Sequence, residues 1–256
     1  MLALRPVLAM LVLAALSGCH LAPDDKRVET AREFPTAERP VAPADSTRYS
    51  DEASRDTLGE ATDVMDRSGV MPGMTVADIG AGDGYYTIRL ANRVGAKGRV
   101  LAQDIQPKVI ERLADRVARE RLDNVSIKLG AADDPRLPAN SFDRVFLIHM
   151  YHEIEEPYAF LWRLRPALRE GGEVVVVDAD RPTNQHGTPP RLLFCELEAV
   201  GYKLVGFIED ERFGGYFARF APASVRPAPA AIKPCGLAQI PAVTPTPAAP
   251  EPVSAK

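Results

Sequence analysis

The residues of this 256-residue chain that could do chemistry follow directly after its apolar stretches. After the first such stretch, residues 75–79, come glycines at alternate positions, Gly80, Gly82 and Gly84. Glycine lets a backbone turn sharply and approach a ligand closely, and a helix that starts behind the turn offers unpaired N–H groups. A dinucleotide-binding fingerprint would need its third glycine at Tyr85. An ordinary turn between a strand and a helix could use the same residues.

Carboxylates follow the next two predicted strands. Residues 99–103 end at Asp104, whose carboxylate could accept two hydrogen bonds from ribose hydroxyls. After the third strand, residues 125–129, Asp133 could accept from an exocyclic amine, and the backbone N–H of Asp134 could donate to a ring nitrogen. Each of these could instead be a surface carboxylate or a helix cap. Their succession at strand ends predicts a ligand site.

Histidines and a carboxylate follow the fourth predicted strand, residues 145–148, in the run His149-Met150-Tyr151-His152-Glu153. A histidine titrates near neutral pH, so it can take a proton from a reacting group. We predict His152, with Glu153 beside it, as a general base and His149 as the alternative. His152 could equally cap the strand end or line the ligand pocket.

The apolar pattern switches repeatedly between strand and helix periods, with short turns between them. This alternation predicts an open parallel sheet with helices on both faces. A fifth strand, residues 173–177, ends at Asp178, a further candidate on the substrate side. The last two strands, residues 202–208 and 216–220, are too close in sequence for a helical crossover, so they must pair antiparallel.

Several of these motifs together resemble those of class I S-adenosylmethionine-dependent methyltransferases. They are residues 76–84, Asp104, Ala132-Asp133 before Leu137-Pro138, Ser141-Phe142-Asp143 and the Gly171-Gly172 turn. The family's usual Leu-Arg-Pro-Gly-Gly lacks its proline here, but the turn glycines remain. The resemblance covers about residues 55–220. It implies an α/β fold with a doubly wound, seven-stranded, mostly parallel sheet of order 3-2-1-4-5-7-6, in which strand 7 is antiparallel.

The resemblance also implies a cofactor, S-adenosylmethionine, and a role for each matched residue. The glycine loop would contact the methionine part, Asp104 the ribose and Asp133 the adenine amine, while Asp78 would hold the loop. The implied cofactor site comprises Asp78, Gly80, Gly82, Gly84, Asp104, Ile105, Asp133, Asp134 and His149. A methyl group on a sulfonium is already activated, so its transfer needs mainly positioning and a deprotonated acceptor. No spacing of cysteines or histidines predicts a metal site.

The first eighteen residues have the features of a signal peptide. Arg5 precedes an apolar run, residues 7–16, that is too short for a permanent membrane span. The motif at residues 16–19 resembles the lipobox of bacterial lipoproteins, which implies cleavage before Cys19 and lipid attachment to it. His20 stands where a retention signal would use aspartate, which by resemblance implies the periplasmic face of the outer membrane. A plain secretory signal and a misassigned start are the alternatives.

The remaining chain divides by composition. The predicted parts are a lipoprotein signal peptide at 1–18, a disordered tether at 19–50, a methyltransferase domain at 51–222 and a Pro/Ala-rich disordered tail at 223–256. Residues 51–67 have the apolar spacing of one helix. An oxidising compartment would permit a bridge between Cys195 and Cys235, but the sequence leaves their pairing open.

Three functions are compatible with these features to different degrees. The first is a methyltransferase acting on a small molecule or a cell-envelope component; the second is a non-enzymatic envelope lipoprotein whose domain binds a nucleoside ligand or a protein. S-adenosylmethionine is made in the cytoplasm, so an exported location leaves three alternatives. The cofactor or a related nucleoside reaches the periplasm, the export signal is misread, or the domain keeps the fold without the activity. A nicotinamide-dependent oxidoreductase is disfavoured by Tyr85 and the closing hairpin.

The net charge of −4, without a basic stripe, argues against a nucleic-acid partner. The acceptor and the oligomeric state stay open.

Overall fold

Seven strands form one sheet in a computed structural model that describes residues 26–44, 51–210, 212 and 215–236. The strands are β1 (Thr75–Ile79), β2 (Arg99–Asp104), β3 (Val125–Leu129), β4 (Phe142–Ile148), β5 (Leu168–Asp178), β6 (Tyr202–Asp210) and β7 (Gly215–Pro222). Their order is β3-β2-β1-β4-β5-β7-β6, and all neighbours pair parallel except β7, which is antiparallel to β5 and β6. The predicted fold class and strand order are confirmed.

Helices cover both faces of this sheet. They are α1 (Glu52–Thr57), α2 (Glu60–Arg67), α3 (Tyr85–Val94), α4 (Pro107–Arg119), α5 (Pro157–Leu164) and α6 (Pro190–Ala199). Residues 145–148 of β4 and 174–177 of β5 are buried, as is typical of parallel strands covered on both sides. The buried apolar side chains form one large cluster with α5 and α6, a second with α2 and α3, and a small third one with α4.

The predicted signal peptide, Cys19 and residues 237–256 lie outside the described residues. Within the described part of the chain, no helix combines the length and the apolar character needed to cross a bilayer.

The single helix predicted over residues 51–67 is two helices in the structure. The break lies at Gly59, whose φ of +69° is in the left-handed region that favours glycine. Asp51 caps α1 by accepting a hydrogen bond from the backbone N–H of Ser54 at 2.9 Å. The break places α2 against the sheet, where Val64 is fully buried.

Residues 26–44, here called the N-terminal segment, pack on the domain, which differs from the disordered tether predicted at 19–50. Phe34 lies edge-on against Trp162 of α5, with ring centroids 5.5 Å apart. The buried side chains of the segment are Ala31, Phe34, Arg39 and Ala42. They follow neither a helical nor a strand period, so the proline-dotted sequence gave no sign that they would dock.

Two ion pairs, one buried and one partly buried, also hold the N-terminal segment. Arg39 donates to Glu196 of α6 at 2.8 Å, and both side chains are 0% exposed. The hydroxyl of Tyr151 donates to the same carboxylate at 2.6 Å. Arg27 donates to Glu156, next to α5, at 2.7 Å. A buried charge is tolerated only when it is paired and hydrogen-bonded, so Glu196 needs Arg39 as its partner. The N-terminal segment is therefore an integral part of the domain.

The first part of the predicted disordered tail is likewise attached to the domain. Cys235 is buried and forms a disulfide with Cys195 of α6, 40 positions earlier. The backbone carbonyl of Pro227 accepts a hydrogen bond from the Trp162 indole at 2.8 Å. A bridge across such a loop restricts the unfolded chain and stabilises the fold by about 2–4 kcal/mol. The domain therefore extends to residue 236 at least.

Replacing Arg39 with methionine should destabilise the protein by about 3 kcal/mol, because Glu196 would keep its charge in the interior without its partner. Denaturant unfolding at neutral pH measures this loss. The double variant Arg39→Met/Glu196→Gln should recover part of it, since the amide oxygen can still accept from Tyr151. A single variant as stable as wild type would mean that the N-terminal segment is not docked through this pair.

Candidate functional site

A cavity of about 420 Å³ lies at the carboxyl ends of the parallel strands. It opens between β1 and β4, where the strand order reverses, which is where ligands bind in open α/β sheets. Its volume is within the range of small-molecule sites, roughly 300–1,000 Å³. The predicted residues that line it are Gly80, Gly82, Asp104, Ile105, His149 and Glu153. Those that do not are Asp78, Gly84, Asp133, Asp134 and His152.

The glycine loop after β1 needs glycine for two reasons. A Cβ at Gly84 would come within 2.6 Å of the Leu113 side chain, and at Gly80 within 3.0 Å of Met150. The φ angles of Gly80, Gly82 and Gly84 are +66°, +55° and +89°. Nothing lies within 4 Å of the Cβ position of Gly82, so its backbone faces open space at the cavity. A ligand could therefore approach the main chain there.

Asp78 connects the two sides of this loop. The hydroxyl of Thr87 in α3 donates to the Asp78 carboxylate at 2.6 Å, so the end of β1 and the following helix are tied together. Asp78 is 3% exposed, and burial raises its pKa to about 6. Asp78 itself does not line the cavity.

The Asp104 carboxylate is fixed at the cavity wall by backbone donors. Its two oxygens accept from the N–H groups of Gly82 at 3.2 Å and Gln106 at 2.9 Å. Ile105, 44% exposed, adds an apolar surface beside it. A carboxylate oriented in this way can accept hydrogen bonds from a diol, and the neighbouring apolar surface can cover a planar ring.

The structure differs from the sequence prediction at Asp133 and Asp134. The Asp133 carboxylate accepts from the Thr30 hydroxyl at 2.6 Å and from the Arg163 guanidinium. Burial alone would raise its pKa, but these two partners hold the pKa of Asp133 below its usual value. The N–H of Asp134 donates to the carbonyl of Ala131 at 3.2 Å. Thr30 of the N-terminal segment thus donates to the Asp133 carboxylate, which the sequence predicted would accept from an amine.

His149 lies at the cavity next to a buried carboxylate that the sequence analysis missed. Its Nε2 is 3.3 Å from Glu60 of α2, which also accepts from Arg55 at 2.6 Å and from the Tyr86 hydroxyl at 2.9 Å. Burial acts to raise the pKa of Glu60, but His149 and Arg55 outweigh it and lower the pKa to about 2. Glu60 therefore stays ionised and orients the imidazole.

His152 is fully buried behind the cavity wall. Its Nδ1 lies 3.0 and 3.1 Å from the two carboxylate oxygens of Asp178, and Thr188 donates to the same carboxylate at 2.7 Å. Glu153 lines the cavity, and His186 lies against His152 with ring centroids 5.5 Å apart. Sequence reasoning missed His186 and Thr188, because no local pattern links them to residue 152.

Replacing Asp78 with asparagine should raise the free energy of unfolding at neutral pH but not near pH 4. Between about pH 4 and pH 6 the unfolded chain loses the Asp78 proton while the folded chain keeps it, so wild type loses up to about 3 kcal/mol across this window. The loss persists above the window. Asparagine has no such proton and still accepts from Thr87. Denaturant unfolding of both proteins across this range measures the difference, which should be independent of pH if Asp78 has an ordinary pKa.

Residues 76–172 match the family model described as a methyltransferase domain. The chain is 30% identical over 126 residues to the ubiquinone/menaquinone biosynthesis C-methyltransferase UbiE of Hahella chejuensis, covering 47% of this chain and 49% of that protein. It is 29% identical over 156 residues to demethylmenaquinone methyltransferase of Staphylococcus aureus, covering 61% and 59%. The chain spans about half the length of the curated relatives it matches.

Solved structures share the fold. A SAM-dependent methyltransferase from Aquifex aeolicus superposes with a TM-score of 0.60 and 25% identity, over 68% of this chain and 98% of that one. The [4+2]-cyclase SpnF has a TM-score of 0.55 at 17% identity, over 76% and 91%, which shows the fold alone. The family model, the sheet order and the Aquifex structure together support a class I methyltransferase family for this chain and indicate S-adenosylmethionine as its cofactor.

Proposed function

We propose that this protein is an S-adenosylmethionine-dependent methyltransferase that acts on a small molecule or a component of the cell envelope. The observation that carries the proposal is the cavity at the strand-order reversal, which has an open glycine backbone at Gly82 and the fixed Asp104 carboxylate on its wall. The similarity to quinone-pathway methyltransferases over half their length supports the reaction class and leaves the acceptor open.

The residues at the cavity fit the cofactor in most respects. Nothing lies within 4 Å of the Cβ position of Gly82 at the cavity, so the glycine loop would hold the methionine part there. Asp104 would take the ribose hydroxyls, and Ile105 would lie beside the base. Asp133 does not fit this scheme, because Thr30 and Arg163 engage its carboxylate. When bound, S-adenosylmethionine supplies a methyl group on a positively charged sulfur.

The acceptor side of the cavity is formed by the strand-four residues. Glu153 and His149 line the cavity, and His152 lies behind Glu153, held by Asp178. In this proposal the protein positions the acceptor and helps to remove its proton, with His152 and Glu153 as the proposed base and His149 as the alternative. Glu60 keeps His149 in place, and the buried Asp178 does the same for His152.

The Asp104→Asn variant should bind S-adenosylmethionine and S-adenosylhomocysteine about ten- to a hundredfold more weakly than wild type. The charged acceptor of the ribose hydroxyls is lost, and a hydrogen bond to a charged group is worth about 1.5–3 kcal/mol. Calorimetric titration measures the affinity. The protein should span residues 20–256, because the N-terminal segment and Cys235 belong to the fold.

Asp115→Asn, an exposed change on the outer side of α4, is the matched control and should bind like wild type. If folded wild type binds neither compound, the methyltransferase proposal fails. The leading function would then be a non-enzymatic lipoprotein that uses this fold to bind a nucleoside ligand or a protein. The engagement of Asp133 by Thr30 favours the protein-binding form of that alternative, because it removes a predicted contact to an adenine amine.

We further propose that Cys19 carries a lipid that anchors the protein in the cell envelope, at the periplasmic face of the outer membrane. The disulfide between Cys195 and Cys235 supports an exported location, because such bonds persist in oxidising compartments. The signal-like residues 1–18 and the lipobox-like motif support the anchor.

Replacing Cys19 with serine should abolish the incorporation of labelled palmitate and release the protein from the membrane fraction, because the acyl chains are the proposed anchor. Labelling of cells followed by fractionation measures both effects. The control Cys195→Ala/Cys235→Ala should keep the label. A wild-type protein without label, or a Cys19→Ser variant that keeps it, would rule out this anchor.

A further inference from the structure

We propose that His152, Glu153 and His186 bind a divalent transition-metal ion such as Zn²⁺ beside the cavity. One ligand atom from each of these residues lies within 4.8 Å of the other two. Two imidazoles and a carboxylate are a common protein ligand set for zinc and related ions. The three residues come together from the turn after β4 and the loop after β5, so no local spacing in the sequence could indicate them.

The strongest support for a metal ion is that the His152 ring is fully buried and has one nitrogen without a hydrogen-bond partner among the described residues. Its Nδ1 faces both carboxylate oxygens of Asp178, so we assign the ring proton to Nδ1. The lone pair then lies on Nε2, which has no hydrogen-bond partner among the residues that the structure describes. A buried acceptor without a partner destabilises a folded protein, and a ligand bound to this atom would remove that cost.

The environment of Asp178 supports the same assignment. Its carboxylate accepts from the Thr188 hydroxyl at 2.7 Å and from the backbone N–H of Ala179 at 2.9 Å, in addition to facing His152. In protein metal sites, a ligating histidine almost always donates its other N–H to a carboxylate or carbonyl, which fixes the ring and raises its basicity. Asp178 is thus a positioning residue for His152.

The separations leave room for an ion. The Oε1 of Glu153 lies 3.9 Å from the Nε2 of His152, which is beyond hydrogen-bonding distance. Bonds to zinc are about 2.0–2.2 Å long, so an ion fits between these two atoms with little movement. Glu153 and His186 are both partly exposed, so their side chains can close the remaining gap by about an ångström.

The proposed metal site lies next to the cavity, so the ion could contact a ligand bound there. Glu153 also lines the cavity, so a ligand in the cavity could reach a coordination position that the protein leaves open. A metal ion stabilises the deprotonated form of an oxygen or nitrogen bound to it. If the proposed methyltransferase function is correct, an acceptor bound to the ion would lose its proton more readily, and the proton would pass to water or to His149. His152 and Glu153 would then act as ligands of the ion instead of as the base. The binding of the ion itself does not depend on that function.

The test is calorimetric titration of Zn²⁺ into chelator-treated protein spanning residues 20–256, in the absence of S-adenosylmethionine. We expect one ion per chain. Asp178→Asn should bind about ten- to a hundredfold more weakly, as is usual when the partner of a ligating histidine is lost, and His186→Ala and Glu153→Gln should lose at least as much. Co²⁺ should give the visible absorption of a low-coordinate site in wild type and lose it in His186→Ala.

Glu155→Gln is the matched control, because Glu155 lines the cavity but lies outside the cluster. It should bind Zn²⁺ like wild type. Thermal unfolding of each variant without metal confirms that it folds. Absence of Zn²⁺ binding by wild type, or equal binding by wild type and a folded His186→Ala variant, would overturn the proposal. Titration with S-adenosylmethionine in the presence of chelator tests the methyltransferase function separately.

Discussion

The reversal of strand order between β1 and β4 is the constraint on which the site depends. Connections leave β1 and β4 toward opposite faces of the sheet, so a crevice forms that no core side chain fills. The register keeps the strand ends level, because Ile79 pairs with Gln103 on one side and with Leu147 on the other. The residues that follow, Gly80 and Asp104 among them, must therefore meet at one edge.

Several carboxylates at or near this crevice are partly or fully buried. Three buried carboxylates at or behind the cavity wall are held by partners from different parts of the chain. They are Asp104, held by the N–H groups of Gly82 and Gln106, Glu60, held by Arg55 and His149, and Asp178, held by His152 and Thr188. Such charges are tolerated when they are paired and hydrogen-bonded. Polar pairing thus holds residues at and behind the wall of the site, in addition to apolar packing.

The parts that the sequence predicted well are those with local signals. Apolar period, the glycine spacing and the position of Asp104 after β2 are all readable within a few residues, and the family resemblance supplied the strand order. The break at Gly59 was missed, since helical spacing continued across it. The pairing of Asp133 with Thr30 spans 103 positions, and His186 approaches His152 only through tertiary structure. Such contacts leave no periodic trace in a single sequence.

The docking of the N-terminal segment also sets the order in which the chain can fold. Arg39 pairs with Glu196, 157 positions later, and Cys195 bonds to Cys235 later still. Contacts this distant in sequence form slowly, because long loops must close first. The part of the domain that is synthesised first is therefore completed last. A nascent chain with this topology stays short of its native state until the segment that carries Cys235 has been made.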